Sequence, residues 1–317
     1  MRMIPRTWSF VILSALAAAQ GGCDPRRAVM GEVMGQLSHY FTDPEAKGPW
    51  SIDRVADGVY TFRWTWYRNI AVETADGWFV ADPFNREAAR ILVGVLREIR
   101  PDLPVHTLFY THYHLDHVRG GAALAPENVV AHRKCMEYWK DLGGAAADVL
   151  APTRWVDGDE TLAVGGVEIR LLYLGDSHSD TIYAVHLPDS RVLFTADLGL
   201  VRAIPPVGVP DRYGPGYLKA LERVAAIDFD VFVPSHFGFG RKQDLVDSLG
   251  YFRAIDRLAR ASLARSGGDL ETEPAAIKRT FFANYDALKK DYGDWHGFDE
   301  MILMNITRAM TGALLGY

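Results

Sequence analysis

Two cysteines in 317 residues, Cys23 and Cys135, are too few for a disulfide framework or a cysteine-rich zinc site. No basic block is present: the net charge is −6, and the clustered Lys and Arg that neutralise phosphates are missing. That argues against a nucleic-acid partner. The longest apolar stretch, residues 8–19, is too short to span a bilayer comfortably. There is no internal repeat and no low-complexity segment. What remains is a globular composition, 49% hydrophobic and 23% charged, with enough chain for a substantial core in one large domain or two.

The N-terminus reads as a processing segment. Arg2 and Arg6 precede the apolar stretch, and Ala17-Ala18-Ala19 supplies small residues ahead of Gln20. This is the pattern of a secretory signal peptide over residues 1–22, which implies a periplasmic or secreted protein. Cys23 follows directly and is a candidate lipid attachment point to a membrane, although Gln20 stands where a bulky aliphatic is expected. The alternative is an uncleaved hydrophobic N-terminus. Cys135 follows His132-Arg133-Lys134 at what reads as a helix start, and its expected role is structural.

Residues 23–54 show no clear period and read as a leader. Aromatic and β-branched runs predict strands over 59–66, 70–73 and 78–81, the last two joined through Asp76-Gly77, a hairpin signal. Residues 85–99 have a helical apolar face and stop at Arg100-Pro101. A strand at 105–110, another at 129–131 and a helix at 133–142 come next. Two strand pairs follow, 161–164 with 167–173 around Gly165-Gly166, and 181–187 with 192–196. A proline-rich loop over 198–215 is long enough to suggest function. Beyond it come a helix at 217–226, a strand at 231–233, and three helices at 241–265, 274–292 and 298–315. This tail reads as a helical extension, 241–317, able to cover a site or make a homodimer.

The chemistry concentrates after strand 105–110, in His112-Tyr113-His114-Leu115-Asp116-His117. Four metal-ligand side chains fall within six residues at a strand end, and imidazole with carboxylate suits zinc or another first-row metal. His178, Asp197 and His236 each stand just past a later strand. If those strands share one rim, seven ligands converge, too many for one zinc and suited to two. His39, His106, His132, His186 and His296 read as structural or surface residues.

The order His112-x-His114-x-Asp116-His117, then His178, Asp197 and His236, resembles the metallo-β-lactamase superfamily over about residues 55–240. The resemblance implies an α+β fold, a four-layer αββα sandwich, with a dinuclear zinc site at one rim; iron or manganese is an alternative. By position it gives one ion to His112, His114 and His178, the second to Asp116, His117 and His236, and a bridging place to Asp197. Asp82 would orient ligands from behind, and Asp116 would also accept a hydrogen bond from the nucleophile. The implied reaction is attack by a metal-bridging hydroxide on a small-molecule ester or lactone. The zinc β-lactamases of the superfamily lack an aspartate at the Asp197 position, whereas its lactonases, phosphodiesterases and glyoxalase II have one. β-Lactam hydrolysis is therefore the alternative, ahead of phosphodiester cleavage and an iron-dependent sulfur dioxygenase. Tyr213, by its place in the 198–215 loop, is similar to a tyrosine that lactonases use to assist the leaving group. Trp64, Trp66 and Tyr67 are candidates either for the substrate groove or for the core.

Overall fold

A computed structural model describes residues 35, 38–208, 211–266 and 274–316. The signal-peptide stretch and Cys23 lie outside the described residues. Among the described residues no helix is long and apolar enough to cross a membrane.

Two sheets form the centre. The first contains β1 (Trp50–Ala56), β2 (Val59–Trp64), β3 (Tyr67–Arg68), β4 (Ile70–Glu73), β5 (Trp78–Ala81), β6 (Val105–Phe109), β7 (Asn128–His132) and β8 (Arg154–Val156). It runs β1-β2-β4-β5-β6-β7-β8, with β3 on β2. The β5, β6, β7 and β8 strands are parallel, and the earlier ones antiparallel. The second sheet contains β9 (Glu160–Val164), β10 (Val167–Tyr173), β11 (Tyr183–Leu187), β12 (Val192–Thr195), β13 (Val231–Pro234) and β14 (Gly240–Arg241), in the order β14-β13-β12-β11-β10-β9. Its strands are antiparallel except β12 and β13.

Three buried clusters define four layers. Between the sheets, Val59, Ile70, Phe79 and Phe109 meet Ile169, Tyr183, Phe194 and Val233. Each such side chain contributes about 1.5–3 kcal/mol by leaving water. Outside the first sheet lie α1 (Arg86–Ile99), the short α2 (Leu115–Val118) and α3 (Cys135–Leu142), with Ala88, Leu92, Leu96 and Trp139 buried against the strands. The Asn85 side chain caps α1 by accepting from the main-chain N–H groups of Glu87 and Ala88, both at 3.0 Å.

Outside the second sheet lie α4 (Gly214–Ala225), α5 (Lys242–Ser266), α6 (Pro274–Tyr292) and α7 (Phe298–Leu315). Leu245, Leu249, Tyr285, Leu288, Phe298, Met301 and Ile302 share one cluster with Leu193 and Phe232 of the sheet. α4 and α5 cover the second sheet, and α6 and α7 pack on α5 within the same cluster. Part of the stretch read as leader joins the first sheet. Trp50–Ala56 pairs with β2, and Tyr40 is fully buried, donating to the Ile204 carbonyl at 2.7 Å.

Main-chain bonds lock the sheets together at one rim. The N–H of Tyr183 donates to Thr111 O at 2.9 Å, Arg68 N to Ser235 O at 2.6 Å, and Phe237 N to Trp66 O at 2.8 Å.

Candidate metal centre

That rim collects the ligands. His112 follows β6, and Asp116 and His117 lie on α2. His178 follows β10, Asp197 follows β12, and His236 follows β13. The antiparallel β10-β11-β12 order and the parallel β12-β13 pair bring these last three strand ends to one side. The chain then turns sharply. Asp197 has φ +49° and Asp82, just past β5, φ +53°, in the left-handed region that aspartate tolerates better than most residues. Gly120 (φ +81°) ends the ligand loop where a side chain would collide with the backbone of Asn85 and Arg86.

Asp197 is the hub. Its Oδ2 lies 3.1 Å from His178 Nε2, 3.3 Å from His117 Nε2 and 3.5 Å from His112 Nε2, and its Oδ1 lies 2.5 Å from His236 Nε2. Ser235 Oγ donates to Oδ1 at 2.8 Å and fixes the carboxylate. His114 joins through Nδ1, 3.1 Å from His178 Nε2. The donor atoms of His112, His114, His178 and Asp197 fall within 4.8 Å of one another, as do those of His117, Asp197 and His236. Asp116 Oδ2 is 3.8 Å from His117 Nε2. The seven residues named from sequence are therefore brought together.

The hydrogen bonds behind the rings fit them to a metal. Asp82 is fully buried and accepts from Thr111 N at 2.9 Å and from Thr111 Oγ1 at 2.7 Å. It lies 3.1 Å from His117 Nδ1. The Thr111 hydroxyl has spent its proton on Asp82, so at 2.9 Å it accepts from His112 Nδ1. His114 Nε2 lies 3.1 Å from Asp211 Oδ2. In His112 and His114 the outward nitrogen holds the proton and the lone pair of the other faces the cluster. His112 Nε2 and His117 Nε2 are buried and have no hydrogen-bond partner. Buried nitrogens without partners, turned toward carboxylates, are what a cation would satisfy.

Electrostatics agree. Burial pushes the Asp197 carboxyl up, but His117, His236 and His178 outweigh it and hold the group well below the usual carboxylate range. Burial likewise opposes ionisation of Asp116, and His117 leads the groups that reverse it. His112 and His178 are pushed down chiefly by burial and stay neutral. At His117 burial is outweighed by the Asp197 and Asp116 carboxylates, which raise the ring well above its ordinary value, so the cluster draws in positive charge.

A cleft of about 610 Å³ opens over the cluster. Trp66, Tyr113, Leu115, Leu200, Pro205 and Val207 give it apolar walls. Trp66 stacks on His236 with ring centroids 3.9 Å apart, and Tyr67 donates to Asp116 Oδ2 at 3.1 Å. Trp64 packs under the first sheet instead, so the three aromatics divide between groove and core. Tyr213 is not brought in. It is 39% exposed, stands outside the cleft lining, and its main-chain N–H donates to Ser177 O at 2.8 Å. The tyrosines that line the cleft are Tyr113, whose hydroxyl donates to Asp211 Oδ2 at 2.9 Å, and Tyr217. Sequence reasoning missed Asp211. Its only signal was its place in the proline-rich loop. Asp180, beside His178, accepts from Lys134 at 2.8 Å and Tyr138 at 2.9 Å and is no ligand here.

A profile of the metallo-beta-lactamase superfamily matches residues 69–236, more than half of the chain. The chain belongs to the metallo-β-lactamase superfamily. Among curated proteins, this superfamily member is 29% identical over 278 residues to the 2,4-dinitroanisole O-demethylase subunit alpha of a Nocardioides species. That match covers 85% of this chain and 78% of the relative. It is 22% identical over 214 residues to the linear primary-alkylsulfatase of a Pseudomonas species, covering 52% of this chain and 40% of that one. Solved structures share the fold. A metallo-beta-lactamase from Pontibacter korlensis superposes with TM-score 0.57 at 20% identity, over 64% of this chain and 99% of that one. One from Hirschia baltica gives 0.54 at 18% identity, over 64% and 97%. The protein is a metal-binding hydrolase of this superfamily.

Proposed function

We propose that the protein is an exported dinuclear zinc hydrolase that cleaves a carboxylic ester or lactone with an apolar body. The carrying observation is the placement of Asp197. One carboxylate reaches His112 and His178 on one side and His117 and His236 on the other, all within 3.5 Å. His112, His114 and His178 would hold one ion, Asp116, His117 and His236 the other, and Asp197 both. The set is imidazole and carboxylate without thiolate, which suits zinc, iron or manganese. Bound by these residues, divalent ions would supply Lewis acidity toward a carbonyl oxygen and a water of near-neutral pKa.

The chain's own side chains do the rest. Tyr67 orients the Asp116 carboxylate, which can accept a proton from the attacking water. The apolar cleft excludes bulk water and strengthens each charge–charge contact inside. Burial and Asp211 raise the Tyr113 hydroxyl above its ordinary pKa, so it stays protonated, and its proton, held by Asp211, fixes the cleft wall beside His114.

A second reading is cleavage of an aryl methyl ether. It is favoured by Trp66 and Tyr113 at the cleft and by the relative named as a 2,4-dinitroanisole O-demethylase. A panel on zinc-loaded protein separates the readings: a 4-nitrophenyl ester, several lactones, 2,4-dinitroanisole, dodecyl sulfate, nitrocefin and a phosphodiester. The proposal expects ester or lactone turnover that a chelator abolishes and zinc restores. Turnover of dinitroanisole alone would move the assignment to the ether, and turnover of nothing would overturn both.

A further inference from the structure

Among the described residues three arginines are buried, Arg63, Arg68 and Arg212. Arg63 has Asp43 at 3.7 Å and two main-chain carbonyls, from Thr65 and Gly48. Arg68 has Asp53 at 3.3 Å and the Phe237 carbonyl. Arg212 has no carboxylate partner among the described residues. It is 9% exposed, and its guanidinium packs on a pair of touching rings, 4.1 Å from the Tyr217 ring centre and 5.0 Å from that of Phe252, which are themselves 4.7 Å apart.

A buried cation without an anion is costly, and proteins seldom keep one without a use. The carboxylates around Arg212 are already engaged. Asp211 is taken by His114 and Tyr113. Asp256, on the small cavity behind Arg212, is held by Arg260 at 2.9 Å. Arg308, of the same sign, donates to the main-chain carbonyl of Arg212. Arg212 itself lines the substrate cleft, alongside Asp197, His178 and His236. Tyr217 measures the separation: its ring carries the guanidinium, and its hydroxyl donates to the Asp197 carbonyl at 3.1 Å. The cation is therefore about one tyrosine side chain from the metal ligands, across a wall of Leu200, Pro205 and Val207.

We infer that Arg212 is the anion-recognising end of the cleft, and that the substrate carries a carboxylate remote from the bond that is cleaved. A guanidinium pairs with a carboxylate through two parallel N–H···O bonds, and low dielectric strengthens the pair. This rests on the hydrolase reading and specifies its substrate class: an apolar body with an ester at one end and an acid at the other.

The test uses the zinc-loaded full chain and two esters of matched length, mono-4-nitrophenyl glutarate and 4-nitrophenyl pentanoate. The wild-type protein should prefer the glutarate ester. Arg212→Met should cut the ratio of the two kcat/KM values by about tenfold to a hundredfold, the worth of one charge-assisted contact. Arg212→Lys should keep part of it. Free glutarate should raise the melting temperature of the wild-type protein and not that of Arg212→Met. Removing an unpaired buried charge should leave the melting temperature of Arg212→Met at or above wild type. A ratio unchanged in Arg212→Met, or a glutarate shift that survives in it, would overturn the inference. If neither ester is cleaved but glutarate stabilises only the wild type, the ester reading fails and the Arg212 site stands.

Discussion

Asp211 Oδ2 lies 3.1 Å from Nε2 of His114, while Nδ1 of the same ring faces His178 Nε2 at 3.1 Å. The loop carboxylate thus fixes which nitrogen of His114 keeps the proton and leaves the other free to bind an ion. Carboxylates behind ligating histidines typically contribute tenfold to a hundredfold in metal affinity. Asp211→Ala should weaken one of the two ions by about that factor in a competitive chelator titration and leave the other near wild type. Asp211→Asn, which keeps an acceptor oxygen, should fall between. Equal weakening of both ions would show a general structural defect instead.

Asp82 supports two ligands at once from a fully buried position. Asp82→Ala would leave the Thr111 amide and the His117 Nδ1 proton without acceptors. The expected loss is about 2–4 kcal/mol of unfolding free energy by denaturant titration, the size typical of a disrupted buried polar network. A loss under about 0.5 kcal/mol, the usual range of surface changes, would show that the network is dispensable.

The C-terminal helix gives a sharp contrast between neighbours. Ile302 is 2% exposed and Leu303 is 45% exposed. Ile302→Ala should cost about 2–4 kcal/mol and Leu303→Ala less than about 0.5 kcal/mol. Similar, small losses from both would contradict the packing of α7 into the apolar cluster outside the second sheet.

Cys135 is fully buried, and burial pushes its thiol up to about 12. The thiolate is the reactive form, so at neutral pH the side chain should be inert. Peptide mapping after iodoacetamide treatment should find Cys135 unmodified in native protein and alkylated after denaturation. Rapid alkylation of the native protein would contradict its burial.

The ligand set was legible because it is local and chemically unusual: four donors in one loop, and three more each directly after an apolar strand. The long helices were legible from their periodicity, with 274–292 and 298–315 matching α6 and α7. What escaped depends on contacts distant in sequence. Asp211 finds His114 across 97 residues. The edge strand Trp50–Ala56 alternates weakly because neither face is fully buried. Arg154–Val156 is too short to carry a period and exists because β7 pairs with it. Sequence shows that the tail helices are amphipathic but not which surface they cover, and the structure packs them into the cluster of Leu193 and Phe232. Tyr213 was chosen by loop position alone, and the chain direction there sends it to solvent while Tyr113 fills the cleft.

Metal content tests the two-ion centre most directly. Protein stripped by chelator, reloaded with zinc and desalted should hold two ions per chain by elemental analysis, and His178→Ala and His236→Ala should each hold one. One ion or none in the wild-type protein, or hydrolysis that persists after complete metal removal, would contradict a centre bridged by Asp197.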